Sequence, residues 1–305
     1  MLALSALLLG CTQARPGPTP RTPVATPTPS GMAQLRLPIN RYVQTAEEEA
    51  TSEYLTYRVE QTCMRGFGFR YLPHLSTDYI SRAVAVRREY ESRRYGISDR
   101  AIAAERGYHL SPASAGGRMP QNINTLSTAE RAALSGRTGD GSGPAPSVRG
   151  RPVPSGGCAG QAARTVQGDS ASNEARQGHD LVVRLRHELF LESRTDPRVT
   201  AVDREWSACM SEKGFRYRDP DAAIGDSRWN LQSDAPSRGE IAVARADIAC
   251  KLRTNLLGVN FAVEAEYQNA AVSDHAEELS TLLEHRNAES GRLPRLMAQY
   301  GTPPA

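Results

Sequence analysis

The spacing of apolar positions predicts helices along most of this chain. Between Asp196 and Gly214, Val199, Val202, Trp206, Cys209 and Met210 recur on one helical face. Asp196 supplies an N-cap and Pro197 the first helical position, while Lys213 and Gly214 form a C-terminal stop. Residues 172–194 carry Leu181, Val182, Leu185, Leu189 and Phe190 on one stripe. A Ser237/Glu240 capping box opens a helix with two apolar faces, Ile241, Ile248 and Leu252 on one, Val243, Ala246, Cys250 and Leu257 on the other. Such a helix belongs between others in a core. The last helix, about 259–289, shows a seam at Phe261, Ala265, Gln268, Val272, His275, Leu279 and Leu282, in alternating steps of four and three. That seam packs within the domain or against a second copy.

The first half reads the same way. Thr45 and Glu48 make a capping box for a helix running to about Arg65, after a strap at 32–44. Ser76 to Arg94 predicts a second helix with apolar points at Ile80, Val84 and Val86. Its Arg87, Arg88, Arg93 and Arg94 interleave with Glu89 and Glu91, the pattern of a solvated face. Short helices follow at 98–107 and 127–134, the latter opened by a Ser127/Glu130 capping box. Residues 136–157 are a Gly/Pro/Ser-rich loop expected to hold little structure, and residues 218–235 around Trp229 are irregular. Little reads as strand, so the fold class is mainly α.

One element occurs twice. Cys63-Met64-Arg65-Gly66-Phe67-Gly68-Phe69-Arg70-Tyr71 aligns without gaps on Cys209-Met210-Ser211-Glu212-Lys213-Gly214-Phe215-Arg216-Tyr217, with six of nine positions identical. The shared residues are Cys, Met, Gly, Phe, Arg and Tyr: a helix end, a glycine stop, then aromatics free to pack back. Cys63, Cys158, Cys209 and Cys250 are an even set, which outside the cytoplasm reads as disulfides. Pairing Cys63 with Cys158 and Cys209 with Cys250 closes each copy of the module; Cys63 with Cys209 would staple the copies together. A metal site would want close Cys-x-x-Cys pairs, and there are none.

The first eleven residues, MLALSALLLGC, are an apolar run ending in Leu8-Leu9-Gly10-Cys11. This resembles the lipobox of bacterial lipoproteins. The resemblance implies cleavage between Gly10 and Cys11 and a diacylglyceryl group on the Cys11 sulfur, hence a membrane-lipid partner and a place on the extracytoplasmic face. No Lys or Arg precedes Cys11, so the positive segment of such a signal would lie upstream of Met1. Residues 12–31 are rich in Pro and Thr, as suits an extended, solvated tether. No apolar run approaches the ~20 residues of a transmembrane helix. The chain thus divides into a signal 1–10, a lipidated cysteine and tether 11–40, a first helical module 41–135, the loop 136–157, a second module 158–290 and a tail 291–305.

Composition adds one turn to this picture. Lys213 and Lys251 are the only lysines, every other basic residue being arginine. With a formal net charge of +3, that bias points to GC-rich coding rather than nucleic acid, and with the lipobox it looks like an actinobacterial lipoprotein. Residues 81–164 carry thirteen Arg against six acids, and residues 259–305 three Arg against seven acids. The basic region reads either as a patch for anionic lipid or wall polymer, or as a solvated or internally paired surface.

Candidate chemistry is sparse. His275 and Gln268 interrupt the apolar seam as hydrogen-bonded core residues. His179 and His187, eight apart and beside Asp180 and Glu188, miss the i,i+4 spacing of a metal-binding helix. Glu47-Glu48-Glu49 suits a helix N-terminus. Trp206 reads as core, or with Trp229 as the lining of a ligand groove. No nucleophile elbow, phosphate loop or dinucleotide fingerprint occurs, so no catalytic residue and no cofactor beyond the Cys11 lipid is expected. The reading is a lipid-anchored protein with a structural or interaction role, holding an envelope protein or cell-wall polymer. The rivals are a ligand sensor with a cleft between modules and an envelope hydrolase.

Overall fold

Local signals start several of the helices where the sequence predicts them. In the computed structural model, which describes residues 20–70, 75–115, 126–139, 141–168 and 173–301, Thr45 and Glu48 cap α1 (Ala46–Gly66) reciprocally. There follow α2 (Tyr79–Ser92), α3 (Arg100–Arg106), capped by Asp99, α4 (Pro112–Ala115) and α5 (Thr128–Ser135), with its Ser127/Glu130 box. Strands β1 (Ser147–Val148) and β2 (Arg151–Pro152) pair antiparallel ahead of α6 (Gly157–Gln167). The second half comprises α7 (Asn173–Ser193), α8 (Pro197–Glu212), α9 (Pro220–Ile224), α10 (Arg238–Thr254), α11 (Leu256–Asp274) and α12 (Ala276–Tyr300). The protein is mainly α-helical.

The two repeats end their helices with the same hydrogen bonds. The Phe69 N–H donates to Met64 O and the Phe215 N–H to Met210 O, while Gly68 and Gly214 donate to Arg65 O and Ser211 O. Both glycines sit in the left-handed region, with φ of 78° and 85°. This six-to-one, five-to-two pattern satisfies two carbonyls at the helix end. A Cβ on Gly214 would meet nothing within 4 Å, so Gly214→Ala isolates the backbone cost. It is expected to lower stability by about 1–2 kcal/mol, and Gly214→Asn by less. At Gly68 a Cβ lies 3.0 Å from Arg149 Nη1, which donates to Phe67 O and Gly68 O, so Gly68→Ala should cost more. Denaturant melts of the three variants check the order.

Packing crosses the 136–157 boundary in both directions. α6, with Cys158, lies against α1: Ala162 and Val166 meet Leu55 and Val59, joined by Leu293 and Leu296 of α12. Conversely, Tyr95, Ile97, Ala103 and Tyr108 of the first half enter the core of Trp206, Val243, Ile248 and Leu257. At the centre lies α11, buried on nearly every side.

Several expectations are corrected. The 136–157 segment is structured: Arg137 bridges Pro144, the hairpin follows, and Ala145 and Val148 bury against Met64, Phe67 and Phe69. The predicted last helix is two helices kinked at His275. There φ is −117°, although His275 N–H still reaches Ala271 O and Leu279 N–H reaches His275 O. His275 is therefore a hinge residue with a one-third exposed side chain, 3.8 Å from Glu278, and not a core histidine. The supposed tail at 291–305 is helical to Tyr300, because Leu293 and Leu296 bury against α1, while Tyr54 Oη and Arg58 Nε donate to Gly301 O and Tyr300 O. The tether and the solvated arginine face are corrected with the site below.

Candidate functional site

The disulfides are Cys63–Cys158, joining α1 to α6, and Cys209–Cys250, joining α8 to α10. Each repeat thus pins the last turn of its helix to a neighbouring helix. Met64 and Met210 are wholly buried beside them, Phe69 is buried and Phe215 half-buried. Arg149 stacks 4.0 Å over the Phe69 ring. Tyr217 Oη donates to Asp226 Oδ2 at 2.7 Å, and Arg70 and Arg216 are exposed. Tyr71 and Cys11 lie outside the described residues.

A polar network runs along α10 and clamps the first half of the chain to it. Lys251 Nζ is 3.0 Å from Asp247 Oδ2 and donates to Ile97 O at 3.0 Å, with both side chains essentially unexposed. Trp206 Nε1 donates to Asp247 Oδ1 at 3.0 Å and Tyr108 Oη to Oδ2 at 3.4 Å. Burial pushes the Asp247 carboxyl above its ordinary value, with Lys251 and these donors opposing, and pushes the Tyr108 phenol far up. Two turns earlier, Glu240 Oε1 accepts the Tyr108 N–H at 2.8 Å and faces His109 Nδ1 at 2.9 Å. Glu240 is thereby drawn away from the reciprocal half of its capping box; Ser237 still accepts the Glu240 N–H.

His109 Nε2 is 3.1 Å from Asn230 O and 3.3 Å from Ser233 Oγ. Serine, histidine and glutamate therefore stand in the order of a hydrolytic triad, but the Ser233 hydroxyl is directed elsewhere. Asn230 O, which can only accept, stands nearer Nε2 than Ser233 Oγ does, at the position from which a general base would take a proton. Ser233 Oγ is itself committed to Asn230 O at 2.7 Å and Ala235 O at 3.0 Å. The cluster closes the 226–236 loop onto α10, and an active-serine probe is expected to leave Ser233 unlabelled, as peptide mapping would show.

A second network ties the strap and the end of α2 to α11. Arg94 Nε lies 2.8 Å from Glu264 Oε2, Tyr95 Oη donates to the same oxygen at 2.7 Å, and Gln268 bridges Glu264 to the Ile39 N–H. Gln268 is thus the buried, hydrogen-bonded residue expected. Arg87 in α2 and Arg93 and Arg94 just past its end do not form a solvated face: Arg87 pairs with Glu49 and Glu53, Arg93 with Glu89, Arg94 with Glu264, each arginine less than a fifth exposed. Arg88, paired with Glu47, stays exposed. Glu48 takes Arg286.

Glu89 organises the turn after α3. It accepts from Ser111 N at 2.9 Å, Ser111 Oγ at 2.6 Å and Ser114 Oγ at 2.5 Å, while Arg93 reaches Tyr108 O and His109 O. Burial opposes ionisation, yet the serine hydrogen bonds and the Arg93 charge outweigh it and hold the carboxyl below its ordinary value. A carboxyl depressed in the folded state contributes stability above the unfolded carboxylate range and loses it as pH falls through the folded value. Glu89→Gln should therefore destabilise at pH 7, with the gap to wild type closing below about pH 4, as urea melts at the two pH values would show.

The N-terminal segment corrects the tether expectation: from residue 20 it is docked. Arg21 lies 3.9 Å over the Tyr267 ring and 3.5 Å from Glu192. The Val24 N–H donates to Glu266 Oε1 at 2.9 Å, and Glu266 also takes Arg198 at 2.7 Å. Asn255 Nδ2 donates to Pro27 O at 2.8 Å, beside Gly258, where a Cβ would stand 1.9 Å from that oxygen. The chain then turns, buries Met32, Leu35 and Leu37, and returns to Gln268 through Ile39. Residues 20–42 thus loop around α11 from its N-terminal end at Asn255 and Gly258 to Gln268. Between strap and helices remains a shallow groove of about 280 Å³, floored by Val202, Val259 and Val263 and edged by Thr26, Arg198 and Glu205.

Trp206 is wholly buried and Trp229 donates to Ala223 O, so neither borders this groove. His179 and His187 are exposed on α7. Among the described residues no His, Cys, Asp and Glu cluster could hold a metal, and no helix is long and apolar enough to cross a membrane. The sequence reading missed His109, Glu240, Asp247 and the strap contacts; the i,i+4 spacing of Asp247 and Lys251 was the one available signal. Fold and site together define a disulfide-stapled helical domain whose ionic groups clamp its own elements. Comparison with protein-family models, curated proteins and solved structures returns no match.

Proposed function

We propose that this protein is an extracytoplasmic lipoprotein, held by a diacylglyceryl group on Cys11, that serves as a rigid platform for an envelope protein or wall polymer. The observation that carries the reading is the pairing of a lipobox-like Leu8-Leu9-Gly10-Cys11 with two disulfides in the domain behind it. Disulfides persist in oxidising compartments, and two acyl chains give a stable anchor where one is marginal. The buried carboxylates favour a platform over a hydrolase: Asp247, Glu240 and Glu264 are each spent on internal partners.

Intact mass of the protein purified from membranes, before and after reduction, tests this. The expected product begins at Cys11, carries a diacyl adduct and gains four hydrogens on reduction, the count for two disulfides. A chain that retains residues 1–10 without lipid would overturn it.

A further inference from the structure

We infer that the outward side of α7 is the surface this domain lays against the lipid headgroups; the inference rests on the Cys11 anchor proposed above. The argument begins with reach. Arg21 lies ten positions beyond Cys11 and is held by Tyr267 and Glu192. Ten extended residues span at most about 35 Å, whereas a tether free to residue 40 would reach roughly 100 Å. The docked strap therefore shortens the leash about threefold.

The leash also leaves the domain at a particular place. Glu192 belongs to the last turn of α7, so the anchored segment emerges beside that helix. Among the described residues, three large apolar side chains are more than half exposed: Tyr90, Val183 and Leu191. Two of the three lie on α7, at 183 and 191, with exposed His187 midway between them in steps of four. Steps of four keep one side of a helix. Arg176 and Arg184 are exposed on the same helix, among the exposed acids Glu174, Asp180, Glu188 and Glu192. Apolar side chains that enter the acyl boundary, flanked by charged groups at headgroup depth, are what an interfacial helix presents; the attraction here rests on the anchor and the apolar side chains, not on net charge. The opposite side of α7 is spoken for, since Leu181, Val182 and Leu185 bury against Ile39, Leu279 and Leu282.

The test uses the full lipidated protein in vesicles of phosphatidylcholine and phosphatidylglycerol, with and without brominated acyl chains as quenchers. Val183→Trp and Leu191→Trp probe α7, Tyr90→Trp on α2 is the control, and wild type supplies the background of Trp206 and Trp229. All three substitutions are at exposed positions, so folding is preserved and checked by circular dichroism. Flotation and intact mass on the same sample establish anchoring. The expected result is at least twofold quenching of the added emission at 183 and 191 and none at 90. Equal quenching at all three, or none at any, in a sample that floats and carries the lipid overturns the orientation and leaves the anchor standing. Absence of lipid on Cys11 overturns the anchor and the inference with it.

Discussion

Lys251→Met, with Asp247 left in place, is expected to lower the unfolding free energy by about 3–5 kcal/mol, the cost of stranding one partner of a buried ion pair. Among the described residues, no second cation is hydrogen-bonded to Asp247. Its remaining partners, Trp206 Nε1 and Tyr108 Oη, are neutral donors. The variant also frees Ile97 O, which Lys251 Nζ holds at 3.0 Å, and so loosens the first half where it enters the second-half core. The sign of the pH dependence follows. Burial already raises the Asp247 carboxyl, and loss of Lys251 raises it further. A raised folded-state carboxyl penalises the fold above its own value and ceases to do so below the unfolded value, so the deficit should shrink as pH falls toward about 4. Asp247→Asn combined with Lys251→Met removes both charges and keeps an acceptor for Trp206, and should be more stable at pH 7 than Lys251→Met alone. Denaturant melts of both variants at pH 7 and pH 4.5 settle the matter; a loss under about 1 kcal/mol for the single variant would mean that the pair is not dry.

Removing the Cys209–Cys250 bridge as Cys209→Ala with Cys250→Ala should cost about 4–5 kcal/mol. Loop entropy alone gives about 4 kcal/mol for the 41-residue separation, and about 4.7 kcal/mol for the 95-residue separation of Cys63–Cys158. Burial reverses that order. Cys209 and Cys250 are both unexposed in the cluster around Trp206, so their removal leaves a void at each cysteine, whereas in the other bridge Cys158 is unexposed and Cys63 only partly buried, so the void there is smaller. A void in a packed core costs roughly 1 kcal/mol per methyl-sized gap, more than the ~0.7 kcal/mol by which loop length favours the other bridge. The larger loss therefore belongs to the shorter loop. The same exposure difference sets the order of reduction: in dithiothreitol without denaturant, Cys63–Cys158 should open first. Equilibrium melts of the two double variants and timed alkylation give the two readings, and a smaller loss for the Cys209–Cys250 variant would reverse the argument.

Features carried by a few adjacent residues were legible in advance. The capping boxes of α1 and α5, the Asp196-Pro197 start of α8 and the glycine stops at Gly68 and Gly214 all form as their residue types require. Each is a hydrogen bond within one turn, so the answer is local. The cysteine pairing was legible because each bridge closes one copy of a repeat. Features that failed are those where a distant partner competed with a local one. Glu240 has the spacing of a capping box, yet its carboxylate goes to Tyr108 N and His109. The arginines in and just past α2 alternate with glutamates as a solvated face does, yet Arg94 is taken by Glu264 and Arg87 by Glu49 and Glu53. The buried Glu264 outcompetes water and nearby surface charges for the Arg94 guanidinium, because charge pairs strengthen as water is excluded, while Arg87 is held across to α1 by the partly buried Glu53 with the exposed Glu49 beside it.

The Pro/Thr-rich strap shows the same division from the other side. Its composition dictates extended backbone without internal hydrogen bonds, and residues 20–29 are indeed free of helix and strand. Whether such a segment floats or docks depends on what lies beneath it. Here Glu266 meets an unpaired N–H, Asn255 an unpaired carbonyl, Gly258 leaves room for Pro27 O, and Tyr267 offers a ring to Arg21. By itself the sequence determined the helical class, the helix ends, the repeat and its cysteines, because those follow from neighbours a turn apart. Only the tertiary structure decided that the halves share a core, that the strap loops around α11, and which charges are buried, because each depends on groups far apart in sequence meeting where water is excluded.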